Sequence, residues 1–198
     1  MSYNPEIHHR RSIRLRGWDY ASAGAYFLTI CVKNRECLFG NIVNGEMRLN
    51  PYGCMVVDVW NNLPNHFPTV ALDAFVVMPN HVHGIIVLNK NNMDGSIVGA
   101  DFKSAPTDTA QKCVQIKYHT LGDIIRGFKT FSARRINELR ATPGMPLWQR
   151  NYHEHIIRDG SELFHIQRYI ENNPKQWTLD SENPFTPSSS PNPTPSPR

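Results

Sequence analysis

The amino-acid sequence predicts an α+β fold, in which helices pack mainly on one face of an antiparallel sheet. Strand and helix patterns are mixed along the chain, in the order strand, hairpin, helix, strand, strand, helix, helix. Two of the strands are separated only by a tight turn at Pro79-Asn80. Because parallel strands require a long crossover, these two strands should pair antiparallel.

The first half of the chain contains all the predicted strands. Aromatic and β-branched residues at 25–33 indicate a buried strand. The pair Asn44-Gly45 is the strongest short signal for a hairpin and separates two further strands. Apolar residues at helical spacing predict a helix over 51–63. The predicted strands are 25–33, 38–43, 46–49, 72–78 and 82–88.

Two longer helices are predicted in the second half. Residues 120–140 carry an apolar stripe at helical spacing, with a Thr-x-x-Asp capping box at the start. The last helix runs over 161–172, with Asp159 as its N-cap. Pro174 should end it, because the residue before a proline is pushed out of the α region.

The length of 198 residues supports a single domain, which we place at 1–180. Residues 89–118 or thereabouts are polar and without pattern, and they predict a long insertion in this domain. Residues 181–198 are dominated by proline and serine and have little apolar surface to bury. They therefore predict a disordered tail.

Charge and composition are compatible with a nucleic-acid partner. The formal net charge is +4, and arginines crowd one N-terminal stretch that includes Arg11 and Arg14. The four cysteines form no Cys-x-x-Cys pair, which argues against a structural zinc site or a disulfide framework. With neither a signal-peptide core nor a run of 18 apolar residues, we expect a cytoplasmic protein with no membrane partner.

His81 and His83 are the strongest candidates for chemistry. They lie two residues apart at the start of a predicted strand, so their side chains point to the same face. Their Cα atoms should be about 6–7 Å apart, a separation at which two imidazoles can bind one divalent cation. An ordinary pair of satisfied histidines remains the competing interpretation.

A third ligand and a nucleophile could come from the last predicted helix. Tyr169 and Asn173 are four residues apart and therefore project from the same side of that helix. A tyrosine hydroxyl has a pKa near 10, so it needs a nearby cation or base to attack at neutral pH. Taken singly, each residue is better explained by a structural role: Tyr169 as an aromatic at the edge of the core, and Asn173 as the C-terminal residue of the helix before proline.

Three motifs resemble one known family. They are Phe-Val-Val-Met-Pro-Asn-His-Val-His-Gly at 75–84, Leu-Trp-Gln-Arg-Asn-Tyr at 147–152 and Arg-Tyr-Ile-Glu-Asn-Asn-Pro at 168–174. In this order they are similar to the HUH single-tyrosine transposases, in the branch associated with repetitive extragenic palindromes (REPs). The resemblance covers roughly residues 10–177.

The resemblance implies a fold, an activity and a site. The fold would be a ferredoxin-like antiparallel sheet. The activity would be sequence-specific cleavage and strand transfer on hairpin-flanked single-stranded DNA, through a covalent 5′-phosphotyrosine. Tyr169 would be the nucleophile, and His81 and His83 would bind Mg²⁺ or Mn²⁺. Asn173 lies where related transposases usually have a glutamine as third ligand, and it is one methylene shorter. A homodimer and a nucleoid-associated location would also be typical of the family.

A second set of residues is predicted to contact DNA. Arginines and lysines off the apolar stripe could track phosphates, and the segment after residue 147 could line a groove in which aromatic rings stack on bases. The predicted DNA contacts are Arg11, Arg14, Arg126, Lys129, Arg134, Trp148, Arg150 and Tyr152.

Three alternatives stay open at this point. Tyr152 could be the nucleophile, with His153 and His155 as metal ligands. The chain could be a domesticated DNA- or RNA-binding protein of the same fold without catalysis. It could also be a metal phosphodiesterase that forms no protein–DNA linkage.

Overall fold

The computed structural model describes residues 22–89 and 119–185. Of the predicted DNA contacts, Arg11 and Arg14 lie outside these ranges. So do nearly all of the predicted insertion and the part of the predicted tail that follows residue 185.

The described residues form a four-stranded antiparallel sheet, a separate two-stranded hairpin and four α-helices, which confirms the predicted α+β class. The strands of the large sheet lie in the order β4-β5-β1-β6, so β5 and β1 are central. The strands are β1 Gly24–Cys31, β2 Gly40–Val43, β3 Glu46–Leu49, β4 Val70–Val77, β5 His81–Leu88 and β6 His153–Ile157. The helices are α1 Pro51–Asn61, α2 Leu63–His66, α3 Leu121–Leu139 and α4 Gly160–Asn172.

One face of the large sheet packs against α1 and α3 and forms the main core. Tyr26 and Leu28 of β1 are buried there, together with Trp60 of α1 and Phe128 of α3. The rings of Trp60 and Phe128 meet edge to face, with centroids 5.4 Å apart. Burying aromatic rings of this size removes much apolar surface from water, which holds these helices on the sheet.

The opposite face of the sheet is covered by α4. Ile85 and Ile157 of the sheet form a second, smaller apolar cluster with Ile170 of α4. Leu163 and Ile166 pack against this cluster from the same side of the helix. Two of the three longer helices thus share one face, as predicted, and α4 lies above the face that carries the histidines.

Gly84 allows the side chains of Trp60 and Phe75 to pack very close to the backbone of β5. A methyl group built on its Cα would lie 2.5 Å from Cζ2 of Trp60 and 2.9 Å from Cδ2 of Phe75. The indole therefore occupies the space that any other side chain at this position would need. Since Gly84 follows His83 directly, the backbone of β5 packs closely against the main core at the position next to His83.

Local sequence signals place the hairpin turn and the N-terminal ends of α3 and α4 where the sequence predicts them. Asn44 and Gly45 both have positive φ, 53° and 76°, as a two-residue hairpin turn of the β2–β3 type requires. Thr120 and Asp123 form the predicted capping box of α3. The carboxylate of Asp159 accepts a hydrogen bond from the backbone N–H of Glu162 and caps α4. A cap of this kind contributes about 1 kcal/mol.

Three features differ from the sequence prediction. The segment 153–157, predicted only as part of a groove, is the edge strand β6 and pairs with β1. The α-helix ends at Asn172, as predicted, but Asn173 keeps helical dihedral angles before Pro174, and Asn173–Leu179 follows α4 directly as a 3-10 helix. Residues 181–185, predicted as the start of the tail, make defined contacts, so the folded part extends at least to residue 185. No helix in the described ranges is long and apolar enough to cross a membrane.

Candidate metal and tyrosine site

His81 and His83 lie where the prediction placed them, on one face of the central strand β5. They pair with Cys31 and Thr29 of β1, so all four side chains lie on the face that α4 covers. His81 is completely buried and His83 is 3% exposed.

Hydrogen bonds to neighbours orient both imidazoles. Nδ1 of His81 lies 2.8 Å from Oδ1 of Asn80, and Nδ1 of His83 lies 2.9 Å from Oγ1 of Thr29. The amide oxygen of Asn80 can only accept, so Nδ1 of His81 carries the proton. The same assignment for His83 leaves both Nε2 atoms with a lone pair. Such contacts fix the orientation of metal-binding histidines.

The two Nε2 atoms point at each other and are 3.0 Å apart. Two ligand atoms at a right angle, each about 2.1 Å from a cation, would be about 3.0 Å apart. Burial, with Arg35 as a smaller cause, lowers the pKa of His81 to about 3. Burial and then the charge of His81 lower the pKa of His83 to about 3. Both rings are therefore neutral near pH 7, the form that binds metal, and the pair fits a divalent cation.

Asp180 completes a group of three side chains that could hold a metal ion, and the sequence did not predict it. Its Oδ2 lies 3.7 Å from Nε2 of His81, and the three ligand atoms of Asp180, His81 and His83 lie within 4.8 Å of one another. Its Oδ1 accepts a hydrogen bond from the backbone N–H of Glu182, at 2.7 Å, which turns the other oxygen toward His81. The 3-10 helix that follows α4 brings this carboxylate back to the histidines.

Contacts of Glu182 hold this segment in place. The side-chain amide of Asn80 donates to the backbone carbonyl of Glu182 at 2.7 Å and to that of Arg35 at 3.1 Å. The carboxylate of Glu182 forms an ion pair with Nε of Arg35, at 3.1 Å. Asn80 thus orients His81 through one side-chain atom and anchors the segment carrying Asp180 through another.

Asn173, the predicted third ligand, is buried at the end of α4. Its Oδ1 has no hydrogen-bond partner among the described residues. Its side chain also interacts with the hydroxyl of Tyr169. An unpaired buried amide oxygen is costly, so it is a second candidate for a cation ligand or for a contact with substrate.

Tyr169 lies beside the histidines, as predicted. Its hydroxyl oxygen is 3.4 Å from Nε2 of His83, and the residue is 44% exposed. Its ring packs edge-on against those of His83 and Phe27, with centroids 5.3 and 6.0 Å away. Burial, and secondly the negative charge of Asp180, raises the pKa of the phenol. The hydroxyl is therefore protonated at neutral pH and requires activation before it can attack. We call His81, His83, Asp180 and Tyr169 the tyrosine centre.

Comparison with known proteins places this chain in a family. The chain is 45% identical over 181 residues to an uncharacterized protein of Haemophilus influenzae strain Rd, and the match covers 90% of this chain and 95% of the relative. The two proteins belong to one family. A search of family models finds no match.

Two further likenesses confirm the resemblance predicted from the motifs. A protein of the same Haemophilus strain, provisionally named as a REP-associated tyrosine transposase, is 24% identical over 157 residues, or 79% of this chain and 73% of the relative. A solved structure of a REP-associated tyrosine transposase bound to a REP hairpin shares the fold, with a TM-score of 0.53 and 18% identity. It covers 84% of this chain and 74% of the other. The chain thus has the fold of the REP-associated tyrosine transposases.

Five of the predicted DNA contacts line one cavity of about 410 Å³ beside α3. We call it the α3 cavity, and its predicted contacts are Arg126, Lys129, Trp148, Arg150 and Tyr152. Arg134, one turn further along α3, lines a neighbouring cavity of about 460 Å³ and forms an exposed ion pair with Glu138. The structure therefore brings most of the predicted contacts to one side of the protein.

The predicted DNA contacts of the α3 cavity differ in how available their side chains are to bind a ligand. Lys129 donates to the backbone carbonyl of Arg150 at 3.0 Å, and burial lowers the pKa of its ammonium group. Trp148 is 6% exposed and donates its indole N–H to Ser132, so most of its ring belongs to the core. Arg126 is paired with Asp123. Arg150 is exposed, and its guanidinium has no ion-pair partner in the described residues, which makes it best suited to bind phosphate.

The alternative nucleophile Tyr152 lies away from the tyrosine centre. It lines the α3 cavity, whereas His153 and His155 line a different cavity above the sheet face that α4 covers. Nε2 of His155 is occupied by Oε1 of Glu162, at 2.6 Å. This arrangement does not bring Tyr152 and the two histidines around a common point.

Proposed function

We propose that the chain is a metal-assisted endonuclease and strand transferase that cuts hairpin-flanked single-stranded DNA and forms a covalent 5′-phosphotyrosine at Tyr169. One observation carries the proposal: the Tyr169 hydroxyl lies 3.4 Å from a buried, neutral imidazole whose Nε2 is 3.0 Å from that of a second. A nucleophile and a cation-binding pair thus share one small volume.

The residues of the tyrosine centre have separate tasks in this proposal. His81, His83 and Asp180 hold a divalent cation, and Asn80 and Thr29 keep the two imidazoles in orientation. When bound, that cation polarises the scissile phosphate and offsets the negative charge on its oxygens. Two imidazoles suit Mn²⁺ better than Mg²⁺, which prefers oxygen ligands.

The reaction exchanges one phosphate ester for another. The oxygen of Tyr169 forms a bond to phosphorus, and the bond from phosphorus to the 3′ oxygen breaks. The phenol loses its proton, and the departing 3′ oxygen gains one. The result is a phosphotyrosine and a free 3′-hydroxyl, and the reverse step on another strand rejoins DNA without an external energy source.

The choice of DNA as substrate is supported by two kinds of observation. The structurally similar transposase was solved with a REP hairpin. In this chain, the α3 cavity presents Arg150 and the half-buried Tyr152 close to α3, a combination that suits phosphate binding and base stacking.

A covalent-capture experiment tests the proposal. Labelled single-stranded hairpin DNA from the ends flanking the chain's own gene is mixed with the protein in Mn²⁺ and separated on a denaturing gel. The wild-type chain should give a protein–DNA band, whereas Tyr169→Phe should give none while binding the same DNA within about twofold. Tyr152→Phe is the matched control and should retain the band, because Tyr152 lies outside the tyrosine centre.

Either of two results would contradict the assignment. Capture by Tyr169→Phe equal to that of the wild type would remove Tyr169 as the nucleophile. Cleaved product without any covalent band would instead indicate a metal phosphodiesterase.

One observation favours a second candidate function, a nucleic-acid-binding protein without catalysis. The α3 cavity is built from α3 and the segment before β6, and none of its lining residues belongs to the tyrosine centre. Binding there does not require Tyr169 or the histidines. DNA or RNA binding that is independent of metal, with no covalent product in Mn²⁺, would establish this second function.

A further inference from the structure

A second cavity opens beside the tyrosine centre on the same face of the sheet. It has a volume of about 590 Å³ and lies between the edge strand β6 and the first turns of α4. We call it the edge cavity. Its volume is within the range of about 300–1,000 Å³ that small organic ligands occupy. The residues used below are Phe27, His153, His155, Arg158, Glu162 and Ile166.

The sheet register connects the edge cavity to the tyrosine centre. Phe27 and Thr29 of β1 pair with His155 and His153 of β6 on one side, and Thr29 pairs with His83 of β5 on the other. The ring of Phe27 stacks on His83, with centroids 5.4 Å apart, and also contacts Tyr169 and His153. One aromatic ring therefore forms both the wall of the edge cavity and the side of the tyrosine centre.

Fixed polar groups and an apolar floor line the edge cavity. The carboxylate of Glu162 accepts hydrogen bonds from Nε2 of His155 at 2.6 Å and from the backbone N–H of Arg158 at 2.8 Å. These bonds hold His155 against α4, and its other ring nitrogen makes no hydrogen bond with a described residue. The exposed guanidinium of Arg158 has no ion-pair partner in the described part of the chain. Ile166 and Phe27 supply apolar surface.

The histidines of the edge cavity are not arranged as a second metal site. Among the described residues, only His81, His83 and Asp180 bring three metal-binding atoms within 4.8 Å of one another. Nε2 of His155 is already committed to Glu162. An aromatic wall, a fixed imidazole and an available guanidinium instead match a nucleotide, which offers a flat base and an anionic phosphate.

The distance along α4 also fits a neighbouring nucleotide. Ile166 precedes Tyr169 by three residues, about 4.5 Å along the helix axis, and Glu162 precedes it by seven residues, about 10.5 Å. A phosphate positioned at the Tyr169 hydroxyl would thus have its adjoining nucleotide within reach of the edge cavity.

We propose that the edge cavity binds the unpaired nucleotide next to the scissile phosphate and determines which base is accepted there. The base packs against Phe27 and is contacted by the free ring nitrogen of His155, and Arg158 binds the phosphate on its far side. This inference rests on the proposed function, because it takes the scissile phosphate to lie at Tyr169.

A selection experiment tests the inference on the full chain. The probe is a pool of hairpin oligonucleotides in which the unpaired positions beside the stem are randomised. Covalent adducts formed in Mn²⁺ are isolated and their DNA is sequenced. The wild-type chain should show a preference of about 10-fold or more at one position beside the cleaved bond. His155→Ala should reduce the preference at that position to about twofold or less and leave the other positions unchanged.

Two further variants separate recognition from general damage. Arg158→Gln should weaken binding of the whole pool several-fold without changing the base preference, since a phosphate contact carries no sequence information. Arg168→Gln is the matched control, because Arg168 lies on the same helix, is exposed and pairs only with Glu171 among the described residues. It should behave as the wild type. Circular dichroism checks that each variant is folded.

The outcomes distinguish this inference from the proposed function. The inference is overturned if His155→Ala keeps the wild-type base preference. It is also overturned if this variant loses base preference equally at every position. Either result leaves Tyr169 as the nucleophile. If the wild-type chain forms no adduct, the proposed function fails. DNA retained without a covalent bond is then sequenced in the same way, and an unchanged profile in His155→Ala again rejects the edge cavity as a base-binding site.

Discussion

The chain contains two His-x-His pairs on one sheet face, and they illustrate how position determines chemistry. His81 and His83 lie on the central strand β5, and His153 and His155 lie on the edge strand β6. Both strands flank the same positions of β1. In sequence the two pairs look alike, but the structure surrounds them differently.

Burial and hydrogen bonding separate the two pairs. The central pair is almost completely buried, each ring is held by an oxygen of a neighbour, and the two Nε2 atoms face each other. In the edge pair, His153 is exposed and His155 bonds to a carboxylate of α4, so the rings do not converge. A His-x-His pattern can hold one metal ion only where packing brings ligand atoms of both rings to one place, as it does for Nε2 of His81 and His83.

The largest expected effect distinguishes the pairs directly. His83→Ala should slow adduct formation in Mn²⁺ on the order of 10²–10³-fold, since it removes one of the two central imidazoles that we propose as cation ligands. His153→Ala, the matched change on the edge strand, should stay within about 10-fold. Single-turnover rates on labelled hairpin DNA measure both. Equal losses in the two variants would mean that the pairs do not have separate roles.

A smaller effect is expected at the oxygen ligand, where sequence and structure point to different residues. Asp180→Asn should weaken Mn²⁺ binding by up to about 100-fold, because a charged oxygen ligand becomes neutral. Asn173→Ala should weaken it by less than about fivefold. Electron paramagnetic resonance titration of free Mn²⁺ gives both affinities. A larger loss of Mn²⁺ affinity in Asn173→Ala than in Asp180→Asn would identify Asn173 as the third ligand, as the helix spacing predicted.

The smallest expected effect concerns stability against pH in metal-free protein. The pKa of each central histidine is lowered from 6.5 to about 3, so as pH falls below about 6.5 the unfolded chain takes up protons that the folded chain does not. Stability is therefore complete above that pH and decreases as pH falls toward 3. At pH 5 the loss is about 2 kcal/mol for each histidine.

Urea unfolding in EDTA at pH 7.5 and pH 5 measures this loss. His83→Gln should lose about 2 kcal/mol less than the wild type between the two pH values. Tyr169→Phe is the control, since it alters the same site without removing an imidazole, and it should follow the wild type. A pH dependence that is the same in all three proteins would show that the central pair is not buried in its neutral form.

The sequence predicted the elements whose signals are local. Capping residues placed the starts of α3 and α4, and Asn44-Gly45 placed the hairpin. His81, His83 and Tyr169 were predicted to meet, and they lie together because strand alternation and helix periodicity place side chains reliably.

The rest depended on contacts that no local pattern encodes. The strand β6 has the polar sequence His-Glu-His-Ile-Ile and forms because β1 supplies backbone partners for it. Asp180 was missed because Pro174 indicates a helix end, whereas the chain continues as a 3-10 helix that carries the carboxylate back to His81. Trp148 belongs to a recognisable motif, but only the packing against Ser132 and the core shows that its ring is buried.

The missing side chain at Gly84 has a mechanical consequence for the tyrosine centre. The indole of Trp60 fills the space behind the strand, so Gly84→Ala would force the strand away from the core by pushing on its rear surface. His83 adjoins this position and lies only 3.4 Å from the hydroxyl of Tyr169. A single methyl group on the opposite face of the sheet would thus push His83 toward the phenol of Tyr169, and it would change the tyrosine centre without contacting any of its residues.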